Sequence, residues 1–585
     1  MDVKFDEAKK AMAMGNLIRA YDICLNALSE DAGNRDLQHL RVLAMARMGD
    51  TASAFKLFNV YDLANSPDPH HRALEARLLK DRALAVDQSK EKRAALLDAA
   101  KAYAKIFNES RDYYPGVNAA SLYCMAGADE QVKSLAQAIL EMPEIVSAKD
   151  YYAAATQAET KLLLFDLSGA LNSLQLAVSL PEANHGTKSS TRSQFLHIAQ
   201  SIGLSDLEIS SLLEPLQVPQ VAFFCGHIFR ADSKIEYELK NNIIDLINKE
   251  NIGFGYGALA AGSDIIIAEC LLESGAELHV VLPFEKEDFI AQSVLSAGEE
   301  WLPRFNNSLS GAESVTFASE MNFVDDQAQF QYGSHVAMGL ARLRATHLGS
   351  QVTQIAIWDG KESLGPAGTG AEVRGWQKVD GKSLIISPNN IDRTINYPSL
   401  KTAQKYQRNI AAIIFTDFRG FSKLKEAALP KFWDGVMRIV AEVLEGSMAH
   451  IMSRNSWGDA LYAVIDNVPT AARLALELQK RLAEYDYTSL GIQDAAGMRI
   501  GVHYGPVYRA EDLITGNTTF YGTEVSRAAR IEPVTPPGAV FVTEPFAAIL
   551  ALENSSEFFC NYVGRVELAK GYGTYPMYRL NSGVG

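Results

Sequence analysis

From residue 1 to about residue 214, apolar positions recur at three- and four-residue steps, with Ala, Leu, Lys and Glu dominating and little strand-like alternation. That periodicity predicts amphipathic helices throughout. Gly15 in AMAMGNLIRAYD and Gly49 in MARMGDTASAFK lie 34 residues apart in similar settings. Such spacing predicts repeated helix pairs, each unable to bury its apolar face alone, stacked into a solenoid. Two further stretches, 112–140 and 151–178, keep the hairpin style, with Gly127 and Gly169 expected at the turns.

Around Pro215 to Pro219 the pattern changes to short apolar runs bounded by glycine: VAFFCG (221–226), IGFGYG (252–257), ELHVVLPF (277–284), SVTFAS (314–319) and QIAIWDG (354–360). Runs of this length alternating with helical stretches predict a Rossmann-like parallel sheet wrapped by helices. Ligands of such sheets bind at the carboxyl ends of the strands. The glycine-rich turns GYGALAAGSD (255–264) and GPAGTGAE (365–372) fall there, with His227 a candidate pocket residue or an equally acceptable structural histidine. The expected organisation is a helical region (1–214), an α/β domain (215–376), a linker (377–405) and a final α+β domain (406–585).

The chain's 585 residues are too many for one core, and an apolar share of 48% suits several folded domains. A net charge of −15 argues against nucleic acid and anionic membranes as partners. The five cysteines are scattered without thiolate-metal or disulfide spacing, as expected in a reducing cytoplasm. The start, MDVKFDEAKKAMAMG, lacks a leader pattern, and no apolar run reaches the ~20 residues that span a bilayer.

The last third carries the clearest chemistry. In NIAAIIFTDFRGFSKL (409–424) an apolar run ends in Asp417 and turns through Arg419 and Gly420 toward an expected helix, whose free amides would face a phosphate. NSWGDALYAVI (455–465) places Gly458 and Asp459 at an expected hairpin tip. Two aspartates on adjacent strand ends could hold two magnesium ions beside a triphosphate. Taken singly, Asp417 reads equally as a helix cap and Asp459 as a turn residue.

Three resemblances add to this reading. The segment YYPGVNAA and its surroundings resemble the TRAFs-binding region, a tetratricopeptide-like helical segment, which implies a scaffold for a protein partner. The two glycine-rich turns resemble the SLOG superfamily; Gly368, Thr369 and Glu372 match its GTxxE pattern, while Gly365 and Pro366 replace its double glycine. That resemblance implies a sensor pocket for a nucleotide-like ligand. Finally FTDFRGF, WGDALYA, MRIGVHYGPVY (498–508), FYGTEVSRAARIEPVTPPGAVFVTE (520–544) and VELAKGYGTYPMY (566–578), in series, resemble the class III adenylate and guanylate cyclases, whose fold is a ferredoxin-like βαββαβ core.

The cyclase resemblance implies specific roles. Asp417, Asp459 and the Phe418 carbonyl would hold two Mg2+ or Mn2+ ions, with Gly420 and Phe421 in the phosphate turn. Arg530 would stabilise charge on the transferring phosphate and Lys570 would bind the outer phosphates. Ser526 replaces the asparagine that orients the ribose, and Asn455 and Thr519 occupy the base-reading positions. Asparagine offers both a donor and an acceptor and threonine a hydroxyl, which leaves the base open; because threonine at the second position is compatible with adenylate cyclases, the resemblance ranks ATP first, then GTP, then UTP or CTP. Metal aspartates and arginine come from different subunits in this family, which implies a homodimer. The expected protein is a cytoplasmic signalling lyase. The alternatives are a degenerate, nucleotide-sensing scaffold and a nucleotide-processing enzyme acting through the middle domain.

Overall fold

The equal spacing of Gly15 and Gly49 corresponds to one turn used twice. Helices Asp2–Ala13 and Leu17–Glu30 meet at Gly15 (φ 75°), and Arg35–Arg47 and Thr51–Val60 meet at Gly49 (φ 95°), a left-handed backbone that glycine adopts without steric cost. The next residue caps the following helix in both cases: Asn16 accepts from the Arg19 amide and Asp50 from the Ser53 amide. Gly127 (φ 68°) makes the same left-handed turn before helix Asp129–Leu140, there without a side-chain cap from Ala128. Gly169 does not. It lies in the first turn of helix Leu167–Val178, capped by Asp166, and the left-handed residue at that turn is Phe165 (φ 63°).

The computed structural model describes residues 2–86, 89–361, 367–388, 391–392, 408–490, 497–553 and 557–583. Residues 1–218 with 347–349 form one unit, and 219–346 with 350–585 form a second. The first unit is helical throughout its described residues. Gly365 and Pro366 of the second glycine-rich turn, and residues 389–390 and 393–405 of the stretch expected to link the last two domains, lie outside the described residues. No helix among the described residues is long and apolar enough to cross a membrane.

The second unit begins with a six-stranded parallel sheet: β1 (Gln220–Gly226), β2 (Ile252–Gly257), β3 (Glu277–Leu282), β4 (Ser314–Phe317), β5 (Val352–Ile357) and β6 (Lys382–Ile386), in the order β4-β3-β2-β1-β5-β6. Five residues in a row of β1 are buried, because helices cover both faces of the central strands. The first five strands coincide with the five apolar runs. The sixth falls within the stretch read as a linker; it is an edge strand, exposed or half-buried along its length, so it lacks a continuous apolar signal.

A mixed eight-stranded sheet follows: β7 (Arg408–Phe418), β8 (Ile451–Trp457), β9 (Ala460–Ile465), β10 (Met498–Glu511), β11 (Thr518–Tyr521), β12 (Val540–Thr543), β13 (Phe558–Glu567) and β14 (Thr574–Ser582), ordered β13-β14-β12-β10-β7-β9-β8 with β11 on β10. Helices between β7 and β8 and between β9 and β10 complete a βαββαβ succession. Helix Gln327–Leu348 joins the two sheets. A Cβ placed on its Gly339 would sit 2.3 Å from the Ala548 carbonyl oxygen, and Tyr332 donates its hydroxyl to the Tyr504 carbonyl on β10 at 3.0 Å.

Candidate functional site

Asp417 is the penultimate residue of β7, and Asp459 follows Gly458 (φ 61°) in the β8–β9 turn. The turn folds back on the end of β7, so that Asp459 Oδ2 accepts the Phe418 amide at 3.0 Å. Burial pushes the Asp459 carboxyl above its ordinary pKa; the Phe418 amide opposes this and the charge of Asp417 adds to it. The two aspartates thus occupy one place, with the buried Phe418 ring packed on Phe432 beneath them.

Two residues not singled out in the sequence complete this cluster. Arg499 on β10 stands opposite Asp417 in the strand register, and its Nη2 contacts Asp417 Oδ2, while its Nε lies 2.6 Å from Glu532 Oε1. Burial lifts the Glu532 carboxyl to about 7, against the pull of Arg499 and helped by Asp417 and Asp459. Antiparallel pairing of MRIGVHYG with the strand ending in Asp417 is the signal that could have revealed Arg499.

Arg499 thus pairs with two carboxylates, Asp417 and Glu532, beside the Asp459 turn. The adjacent carboxylates of Asp417 and Asp459 are oxygen donors of the kind that fit a hard divalent cation such as magnesium or manganese.

The chain after Phe418 departs from the expected helix start. Gly420 (φ 101°) leads into two 3-10 turns, at Phe421–Lys423 and Glu426–Ala428, and the regular helix begins only at Leu429, with Pro430 in its first turn. The left-handed glycine reverses the chain too sharply for helix to continue from the strand. The Phe421 ring packs tilted against Phe432, with their centroids 4.9 Å apart.

The remaining candidates form other groups. Helix Thr523–Ala528 carries Ser526, which is exposed and whose hydroxyl reaches back to the Gly522 carbonyl at 3.4 Å. Arg530 follows that helix. Its carbonyl accepts the Ala569 amide at 3.3 Å, which brings the arginine beside Lys570. Lys570 is exposed and holds φ 64°, a conformation uncommon for lysine. Among the described residues no hydrogen bond or ion pair joins Arg530 or Lys570 to Asp417 or Asp459. Asn455 is exposed on β8, and Thr519 lies on β11, which sits beside β8 through a 2.9 Å bond from Ser453 Oγ to the Thr518 carbonyl.

In the parallel sheet a cavity of about 710 Å3 opens at the carboxyl ends of β1 and β5, where the strand order reverses. Gly368 (φ 95°), Thr369 and Glu372 line it, with Asp264, Phe289 and Phe330. Glu372 accepts the Ser334 hydroxyl, and burial raises the carboxyls of both Glu372 and Asp264. His227 also lines the cavity, but its Nε2 is paired with Asp359 Oδ1 at 3.0 Å, so it has a structural task as well.

Comparison with known proteins follows the same division. Residues 15–123 match the family model of Tetratricopeptide Repeats-Sensor, and residues 403–582 match that of the Adenylate and Guanylate cyclase catalytic domain. A relative from Acanthamoeba polyphaga mimivirus, described as a serine/threonine-protein kinase/receptor, is 25% identical over 217 residues; the match covers 32% of this chain and 13% of that one. Solved structures with similar segments include the adenylyl cyclase CyaB of P. aeruginosa (16% identity, TM-score 0.27, 30% of this chain and 96% of that one). The guanylate cyclase domain of RhGC from Catenaria anguillulae, solved with GTP, is 17% identical (TM-score 0.26, 30% and 98%). An adenylate cyclase structure from Trypanosoma brucei is 22% identical (TM-score 0.26, 30% and 88%).

Proposed function

We propose, from the premise that residues 403–582 are an adenylate and guanylate cyclase catalytic domain, that this chain converts a nucleoside triphosphate into a 3′,5′-cyclic monophosphate and pyrophosphate. One observation carries the reading: Asp417 and Asp459, distant in sequence, share one site in which burial and mutual repulsion favour a bound cation. Asp417, Asp459 and the Phe418 carbonyl would hold two magnesium or manganese ions, which when bound acidify the ribose 3′ hydroxyl and neutralise the triphosphate.

The ribose 3′ oxygen then attacks the α-phosphorus, the bond to the bridging oxygen breaks, and pyrophosphate leaves with the electron pair. Arg530 offers a permanently charged fork of donors to the phosphate as charge builds. Lys570 holds the outer phosphates, and its left-handed backbone is consistent with a position kept for function at a cost in local strain. Ser526 contacts the ribose, while Asn455 and Thr519 read the base, with ATP preferred over GTP and the pyrimidine triphosphates.

The match to the cyclase family favours a two-fold homodimer in which each protomer completes the other's site. In this reading the helical region binds a protein partner, and the cavity beside Glu372 takes a nucleotide-like ligand. Incubating purified protein with each triphosphate and manganese, then identifying products by mass spectrometry, tests the reaction and the base together. Absence of a cyclic product with all four triphosphates sinks it. Hydrolysis or base release from a mononucleotide would instead favour chemistry in the middle domain.

A further inference from the structure

The cavity of the parallel sheet and the catalytic half share a wall. Loop 318–326, which follows β4, lines the cavity with Phe323, Asp325 and Asp326. Its other side meets the second sheet. Ser319 Oγ donates to Glu524 Oε1 at 3.3 Å, Tyr575 donates its hydroxyl to Glu320 Oε2 at 2.8 Å, and Arg408 Nε pairs with Asp326 at 2.6 Å. From the next helix, which lines the cavity through Phe330 and Ser334, Tyr332 bonds the Tyr504 carbonyl at 3.0 Å.

Ser319 reaches a buried charged cluster, and Glu320, its side chain 61% exposed, borders it. Glu524, about 1% exposed, binds His503 Nε2 at 2.7 Å and Arg527 Nη1 at 3.1 Å through Oε2, and Arg527 Nη2 also lies 3.8 Å from Glu320. Glu524 and Arg527 sit on the inner face of helix Thr523–Ala528; the exposed face holds Ser526, and the chain then runs into Arg530. Buried charges tolerate few geometries, because each must keep its partners. The helix therefore stands where loop 318–326 and the cluster together hold it.

We propose that Ser319, Glu320 and Tyr332, which belong to the sensor-like half, are positioning residues for Ser526 and Arg530, and that loop 318–326 transmits the packing of the cavity wall to them. The inference rests on the cyclase reading for its catalytic consequence but not for its structural one. None of the three residues belongs to the proposed substrate site. Their effect is on the placement of a guanidinium that acts as charge builds, so their loss lowers kcat and leaves the KM for the triphosphate little changed. A misplacement near 1 Å can cost about a hundredfold.

The test uses the full chain and three variants, Glu320→Ala, Glu320→Gln and Phe323→Ala, with two measurements: steady-state kinetics with manganese and the preferred triphosphate, and hydrogen exchange of the amides in 523–530. Glu320→Ala is expected to lower kcat about tenfold to a hundredfold, shift KM less than about twofold, and speed exchange in 523–530. Glu320→Gln, which still accepts from Tyr575, restores most of both. Phe323→Ala, which removes a cavity-wall ring packed on Phe284 and Phe330 and touches no residue of 523–530, speeds exchange in that segment.

An active wild type whose Glu320→Ala variant keeps its kcat and its exchange pattern overturns the positioning role. Exchange changes confined to loop 318–326 in Phe323→Ala overturn the transmission. A wild type that makes no cyclic nucleotide while Glu320→Ala still loosens 523–530 defeats the cyclase reading and leaves the positioning intact.

Discussion

If each site is built from the aspartates of one protomer and the arginine of its partner, two dead variants should repair each other. Asp417→Ala removes a metal carboxylate from one half-site, and Arg530→Ala removes the donor to the transferring phosphate from the other. Loss of one such donor costs about a hundredfold to a thousandfold in turnover, so each variant alone is nearly silent.

Random pairing at equal concentrations makes about half of the dimers mixed, and a mixed dimer keeps one whole site of two. The mixture should therefore regain about a quarter of wild-type activity per protein, by the two-fold symmetry of such a dimer. The assay is the initial rate of cyclic nucleotide formation after subunit exchange. A control separates this from nonspecific rescue: Asp417→Ala mixed with Asp459→Ala places both lesions in the same half, where the Phe418 amide ties them together, and should regain nothing. Recovery in that control, or none in the first mixture, refutes the shared site.

Further outcomes follow from the same geometry. Arg499→Ala leaves Asp417 and Glu532 without their internal cation, so manganese should raise the melting temperature of this variant more than that of wild type. Glu524→Ala strands the buried Arg527 guanidinium and should cost about 3–5 kcal/mol in denaturant unfolding; a change near zero would show that water reaches the cluster. Lys570→Gly should gain about 0.5–1 kcal/mol of stability by relieving the left-handed lysine while lowering kcat/KM.

Glu372, whose folded pKa is raised by burial, binds its proton more tightly in the fold than in the unfolded chain. Its favourable contribution is present at low pH and fades as pH rises above the ordinary glutamate value. Glu372→Gln should flatten that decline, so the variant gains on wild type with increasing pH, measured by urea unfolding.

Much of this architecture was legible because the signals were local. The five apolar runs became β1 to β5, and the equally spaced glycines became equivalent turns. Signals that depend on partners were not legible. β6 is an edge strand whose half-exposed residues show no periodicity, and Gly169 was assigned to a turn that Phe165 makes instead. The aspartates stood out in sequence, but Arg499 and Glu532 join them only through strand pairing and a return of the chain. The contacts of Ser319 and Tyr332 with the second sheet span more than 170 positions of chain, beyond the reach of any local pattern.

Gly339 limits how portable the catalytic part can be. With the Ala548 carbonyl only 2.3 Å from where a methyl would sit, even alanine would act as a wedge between helix Gln327–Leu348 and helix Glu544–Glu553. Grafting this output onto another sensor therefore needs a glycine at the seam as well as matched domain ends, and a catalytic fragment cut free would present that bare groove to water.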